Sequence, residues 1–115
     1  LRAIRLAAAA ERDLAAILQA SETRFGTVAA DRYRRLIAAA FRDLQADPAR
    51  RAVRQASPEL NGLSAYHVRH SRGRTEGQRV MRPRHLIVFN CTPDLLIVHR
   101  VLHDAMDLPS QLRDL

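Results

Sequence analysis

The stretch HRVLHDAMDL, residues 99–108, sets His99 and His103 four residues apart and Asp104 and Asp107 three apart, beside Arg100. On a helix, His-x-x-x-His places both imidazoles on one face, the spacing with which zinc hydrolases hold their ion. The backbone decides which chemistry is open. Leu95 to Leu102 is an aliphatic, β-branched run that predicts a strand, and four residues of strand separate two side chains by about 13 Å. One ion does not bridge that distance, so no metal and no cofactor is expected. His99 reads as a packed strand histidine and His103 as a hydrogen-bonded terminator of the strand. Asp104 and Asp107 read as turn residues that bond local backbone N–H groups or cap a following helix.

Nucleophilic cleavage of RNA through a 2′-hydroxyl needs a base, an acid and positive charge on the phosphorane. His67, His70, His85, His99 and His103 titrate near neutrality, and Arg69, Arg84 and Arg100 carry charge. Strand alternation puts Tyr66, Val68 and His70 on one face and Ala65, His67 and Arg69 on the other, so the polar set is predicted on the face away from the helices. Taken singly, each histidine reads as an exposed sheet residue.

All 19 basic residues are arginine. Arg50, Arg51, Arg54, Arg69, Arg72, Arg74, Arg79, Arg82 and Arg84 face only Glu59 and Glu76 within residues 50–84, so this stretch accounts for the whole formal charge of +7. Such a stretch has sequence-independent affinity for phosphates. No helix-turn-helix, zinc knuckle or aromatic-rich strand accompanies it, and at 4% aromatics there is little to stack on bases.

The elements that must position these groups follow from length and periodicity. At 115 residues and 47% hydrophobic, residues 1–115 are expected to form one domain around one core. No apolar run approaches the roughly 18 residues of a membrane span, and no secretion-type opening is seen, so a cytoplasmic location without membrane contact is the expectation. The lone Cys91 fits a reducing compartment and reads as a buried or half-buried side chain. LRAIRL predicts a short strand. From Ala8, the spacing of Ala10, Leu14, Ile17 and Leu18 predicts a helix, with Glu11 and Asp13 near the positive end of its dipole and Phe25-Gly26 as its stop. Thr27 is placed to cap a second helix, striped by Ala29, Tyr33, Leu36, Ile37, Ala40, Phe41 and Leu44 and closed by Asp47-Pro48. A short connection makes the two an antiparallel hairpin. LNGLSAYHVRH, PRHLIVFN and DLLIVHRVL predict three consecutive antiparallel strands, and LPSQLRDL a short terminal helix. The fold class is α+β. A short N-terminal strand and a helical hairpin pack on a twisted, mainly antiparallel sheet of three to four strands, in the order β-α-α-β-β-β-α. Leu14, Ile17, Leu18, Leu36, Phe41 and Leu44 should meet Leu86, Val88, Ile97 or their alternates.

The order of these elements, with DLAAILQASETRFGTVAADRYRRLIAAAFRDLQADP, GLSAYHVRHSR, PRHLIVFN and above all RVLHDAMDL, resembles the RelE/ParE toxin superfamily of bacterial type II toxin–antitoxin systems, whose ParE-like members include plasmid-stabilisation proteins. The resemblance implies one fold with two mechanisms: RelE-like members cleave mRNA on the ribosome, and ParE-like members poison DNA gyrase. In the nuclease-like members the last strand leaves through Gly-His-Arg toward a downstream tyrosine; here Leu102-His103-Asp104 stands at that corner and Leu108 near the tyrosine's place. An aspartate repels a phosphate, and leucine transfers no proton. The resemblance therefore implies a ParE-like toxin without catalytic residues, with DNA gyrase as target and a cognate antitoxin as neutralising partner, in a homodimer or a toxin–antitoxin hetero-oligomer. Arg69, Arg72, Arg82, Arg84, Arg100 and His103 are the expected target- or antitoxin-binding residues, since a basic surface complements an acidic-hydrophobic antitoxin segment. The alternatives are an mRNA interferase, with His103, Arg100, Arg84 and His67 as catalytic candidates and ribosome and mRNA as partners, and a non-toxic member that binds only antitoxin. SRGRTEGQRVMRPR, longer than a hairpin turn requires, reads as a solvated tip or a contacting arm.

Overall fold

The computed structural model of the chain describes residues 1–59, 62–74, 80 and 82–113. Strand β1 (Ala3–Leu6) leads into helix α1 (Ala8–Phe25) and helix α2 (Thr27–Ala46). Between the helices the chain reverses at Gly26, whose φ of 92° lies in the left-handed region that favours glycine. Its N–H bonds the Glu22 carbonyl to end α1, and its carbonyl accepts Ala30 N–H to begin α2. The predicted Thr27 cap is corrected by this geometry: Gly26 occupies the cap position, Thr27 is already helical, and no side chain caps the helix.

The second half gives β2 (Arg54–Gln55), β3 (Ser64–His67), β4 (His85–Cys91), β5 (Leu95–His103) and a one-turn helix α3 (Leu108–Gln111). The sheet order is β1-β5-β4-β3-β2, five strands counting the two-residue β2. Strands β2 to β5 pair antiparallel, while β1 lies parallel to β5, Ala3 opposite Leu95 and Leu6 opposite Val98. The run predicted as a strand through His70 stops at His67 and continues as a 3-10 turn over Val68–Arg74. A buried bond chain fixes that turn: Ser71 donates to Asp43 at 2.6 Å and receives the Tyr66 hydroxyl at 2.7 Å. Most of the long basic tip, residues 75–79 and 81, lies outside the described residues.

Both faces of the sheet carry core. Tyr66, Val68, Ile87, Phe89, Leu96, Val98 and Val101 pack under the helical hairpin against Leu36, Ile37, Ala40 and Leu44, with Leu14, Ile17, Leu18 and Phe41 at the margin. The expected helix stripe thus meets the alternates of Leu86, Val88 and Ile97. On the opposite face Ala65, Val88 and Leu102 are covered by Ala56, Leu108 and Leu112. Cys91, expected at least half-buried, is exposed at the end of β4. Among the described residues no helix is long and apolar enough to cross a membrane.

A bulge in β5 sets the faces at its far end. Val88 pairs with Arg100 but Phe89 with Val98, so His99 is the extra residue. Val98 and Val101, three apart, therefore both face the helices. His99 lies opposite, bonded to Asn90 at 2.9 Å, while His103 returns to the helix side across from His85. The two histidines of the opening motif end on opposite faces of the sheet.

Candidate functional site

Because β3, β4 and β5 run antiparallel, the end of β3, the start of β4 and the end of β5 meet at one end of the sheet. His67, His85 and His103 stand there, with His85 and His103 directly paired. Helix α2 brings Tyr33 over the same end. Its ring meets His85 edge-on at 5.4 Å, and His85 meets His103 edge-on at 5.5 Å.

Hydrogen bonding assigns the protons. The Arg84 N–H donates to the Tyr33 hydroxyl at 3.0 Å, and we assign that hydroxyl as the donor to His85 Nδ1, 2.6 Å away. His85 is thereby an acceptor at Nδ1 and neutral, with its proton on Nε2. Burial, then the neighbouring His103, holds its pKa down from 6.5 to about 4. Burial likewise raises the Tyr33 pKa, against the opposing Arg84 N–H bond. His67 accepts the Arg69 N–H at Nδ1 and donates from Nε2 to Asp104 at 3.0 Å. That bond is the main cause of the lowered Asp104 pKa, to which the charges of His67, His103 and Arg84 add. Asp104 was expected to bond local backbone; its carboxylate instead reaches His67 on β3, and its own N–H bonds the Arg84 carbonyl at 2.7 Å. Asp107 precedes α3 and accepts the Ser110 hydroxyl at 2.7 Å without capping a backbone N–H.

His103 differs from its neighbours. Its Nδ1 accepts the Ala105 N–H at 3.0 Å, and its half-open side chain lies 3.5 Å from Asp104. Beside it the exposed side chain of Arg84 leads into an open groove of about 530 Å³ lined by Arg69, His70, Arg72, Arg82, Pro83 and Arg84. The structure thus brings together His67, Arg84 and His103 at the strand ends, and Arg69, Arg72, Arg82 and Arg84 in the adjoining groove.

Arg100 is placed elsewhere. Its guanidinium makes a two-point pair with Asp13 of α1, at 2.7 and 3.0 Å, and reaches the Gln111 carbonyl at 3.3 Å. Strand β1 ends opposite Val98, and beyond it Asp13 also accepts the Val101 N–H at 3.0 Å. Arg100 therefore ties α1 and α3 to β5. Tyr33 and His85 were not named as site residues from sequence. The one signal for them, a tyrosine in the α2 stripe and a histidine at the start of β4, becomes a contact only through the strand register.

Acid should weaken this end of the fold in two steps. His85 is depressed from 6.5 to about 4, so between those values the unfolded chain binds more protons than the folded one. Its contribution is complete above pH 6.5 and is lost as pH falls toward 4. A shift of that size corresponds to about 2–3 kcal/mol at a partly buried site, or roughly 10 °C in melting temperature. The Asp104 contribution is lost only as pH falls below its ordinary 3.8. Melting curves from pH 7 to 4 should show the first loss in the wild type and a flatter profile in His85→Asn, whose amide still accepts the Tyr33 hydroxyl. Equal slopes would place the acid sensitivity at other groups.

Two solved structures share the fold. One, titled as the chromosomal ParDE toxin–antitoxin system from P. aeruginosa, matches with a TM-score of 0.64 at 18% identity, over 89% of this chain and 95% of that one. Another, titled as the toxin–antitoxin complex RelBE2 from Mycobacterium tuberculosis, gives 0.51 at 18% identity, over 89% and 96%. At such identity the likeness is one of fold. No curated protein sequence matches the chain. Residues 4–108, from β1 to the start of α3, match the sequence model of the ParE toxin of the type II toxin–antitoxin system parDE, and the chain therefore belongs to the ParE toxin family, within the RelE/ParE superfamily.

Proposed function

We propose that this toxin acts by binding DNA gyrase rather than by cleaving RNA, and that a cognate antitoxin neutralises it. The observation that carries the reading is the internal use of the proton-transfer groups. Tyr33 and His85 are bonded to each other, His67 to Asp104, His99 to Asn90, and Arg100 to Asp13. General acid–base catalysis needs groups that reach the substrate with a proton to give or a lone pair to receive it. Here Tyr33, His85 and His67 hold the sheet end together, His99 and Arg100 are engaged farther along β5, and the Asp104 carboxylate beside Arg84 and His103 would repel a phosphate at that end.

Arg84 and His103, open at the edge of this end, suit the acidic residues of an antitoxin segment whose apolar side chains would seat outside the basic groove. The two solved structures compared above are titled as toxin–antitoxin systems, which supports such a partner. A second reading is favoured by His103 itself. Its open ring beside Arg84 supplies one proton-transfer group and one cation of the set that an mRNA interferase would need. Induced expression separates the two. Replication arrest with an SOS response should come first, and translation should continue at that time. Early arrest of translation would favour the interferase.

A further inference from the structure

We propose that the groove formed by Arg69, His70, Arg72, Arg82 and Arg84 binds the phosphate backbone of a nucleic-acid duplex without regard to sequence. The inference goes beyond the proposed target and does not rest on it.

Three observations carry it. First, four guanidinium-bearing residues and one imidazole converge on a single open groove, and no carboxylate lines it among the described residues. Guanidinium presents a planar fork that fits phosphate oxygens. Second, His70 in the groove lining stands among further cations, of which Arg69 shares the groove and Arg50 and Arg54 lie outside its lining. The His70 pKa is lowered by burial first and then by the charges of Arg69, His67, Arg54 and Arg50. Such a cluster of cations attracts a polyanion, and binding releases the counterions condensed on that polyanion. Third, the lining says which polyanion fits. Among the described residues Pro83 is the one apolar residue of the lining, and it is itself buried. An amphipathic acidic peptide would find nothing there to seat its apolar side chains. Single-stranded nucleic acid is held by stacking successive bases on a row of aromatic rings, and among the described residues this groove offers the His70 imidazole and no Phe, Tyr or Trp. What remains is a ligand recognised through charge alone, presenting phosphates at regular spacing on a stiff surface.

The test uses the whole purified toxin and fluorescently labelled DNA and RNA duplexes of equal length, titrated over a range of salt. Either duplex should bind, with a slope of log affinity against log salt of roughly −3, as for three to four neutralised phosphates; the tighter of the two identifies the source of the phosphates. The side chains of Arg69, Arg82 and Arg84 are exposed, so the triple variant Arg69→Ala/Arg82→Ala/Arg84→Ala should fold normally. It should flatten the slope by about one per arginine and weaken binding at low salt by at least roughly tenfold. The charge-matched control is Arg12→Ala/Arg24→Ala/Arg42→Ala, three exposed arginines outside the groove. It should keep the wild-type slope. Equal losses in the two triple variants would reduce the effect to net charge and overturn the proposal. So would the absence of duplex binding at low salt, tighter binding of a single strand, or groove-dependent binding of a poly-glutamate peptide without binding of duplex. Gyrase takes no part in the assay, so failure here leaves the gyrase reading standing, and an inactive gyrase assay leaves the groove standing.

Discussion

Replacing Leu36 by aspartate is expected to leave the chain unfolded at room temperature. Leu36 is fully buried at the centre of the contact between α2 and the sheet. Removing its side chain alone costs about 2–5 kcal/mol, and a carboxylate at that point has no partner, which adds several more. Domains of this size hold roughly 5–15 kcal/mol in total, so the sum is comparable to the whole stability. Val28 lies on the same helix and is 63% exposed, and Val28→Asp should melt within a few degrees of the wild type. Thermal melting followed by circular dichroism compares the two. Melting of Leu36→Asp at the wild-type temperature would show that α2 does not pack on the sheet.

The second large effect is expected at Asp13, which no apolar pattern marks. One carboxylate there holds the Arg100 guanidinium at two points and the Val101 N–H at a third. The pair is largely shielded, with side-chain exposures of 21% and 16%. Asp13→Ala would leave the Arg100 charge without its carboxylate and a strand N–H without a partner, at a cost of about 2–3 kcal/mol, or roughly 10 °C in melting temperature. A carboxylate that served only the helix dipole would contribute about 0.5 kcal/mol, so the size of the change separates the two roles. Adding Arg100→Leu to Asp13→Ala should cost less than the sum of the singles, because the second change removes the orphaned charge. Strict additivity would show that the two side chains do not act as a pair.

What sequence could show here was local. The apolar stripe of α2 repeats with the helix period, Phe25-Gly26 marks a stop and β4 and β5 are β-branched runs, all within a few residues, and each element appears where these signals place it. Apart from the Thr27 cap, which the neighbouring Gly26 displaces, the misses depend on how strands pair and on contacts between distant residues. Parallel pairing of β1 with β5 joins Ala3 to Leu95, and no local pattern encodes it. Unbroken alternation would place His99 and His103 on one face. The bulge at His99 reverses that parity, and so decides that His103 meets His85 under Tyr33. Asp13 reads as a dipole residue because Arg100, its partner, is 87 positions away. For the same reason Arg100 reads from sequence as a surface cation. The family, by contrast, is legible from the order of short words such as RVLHDAMDL.

The claim that this toxin binds gyrase and does not cut RNA is tested most directly with purified components. Wild-type protein should inhibit gyrase supercoiling, or trap gyrase on cleaved DNA, and should leave mRNA on translating ribosomes intact. A positioned acid or base contributes about 10²- to 10⁴-fold to such cleavage, so a working site would be plain to see. Codon-periodic mRNA cleavage by the wild type, lost in a folded His103→Ala variant and accompanied by uninhibited gyrase, would contradict the claim and identify His103 as a catalytic residue.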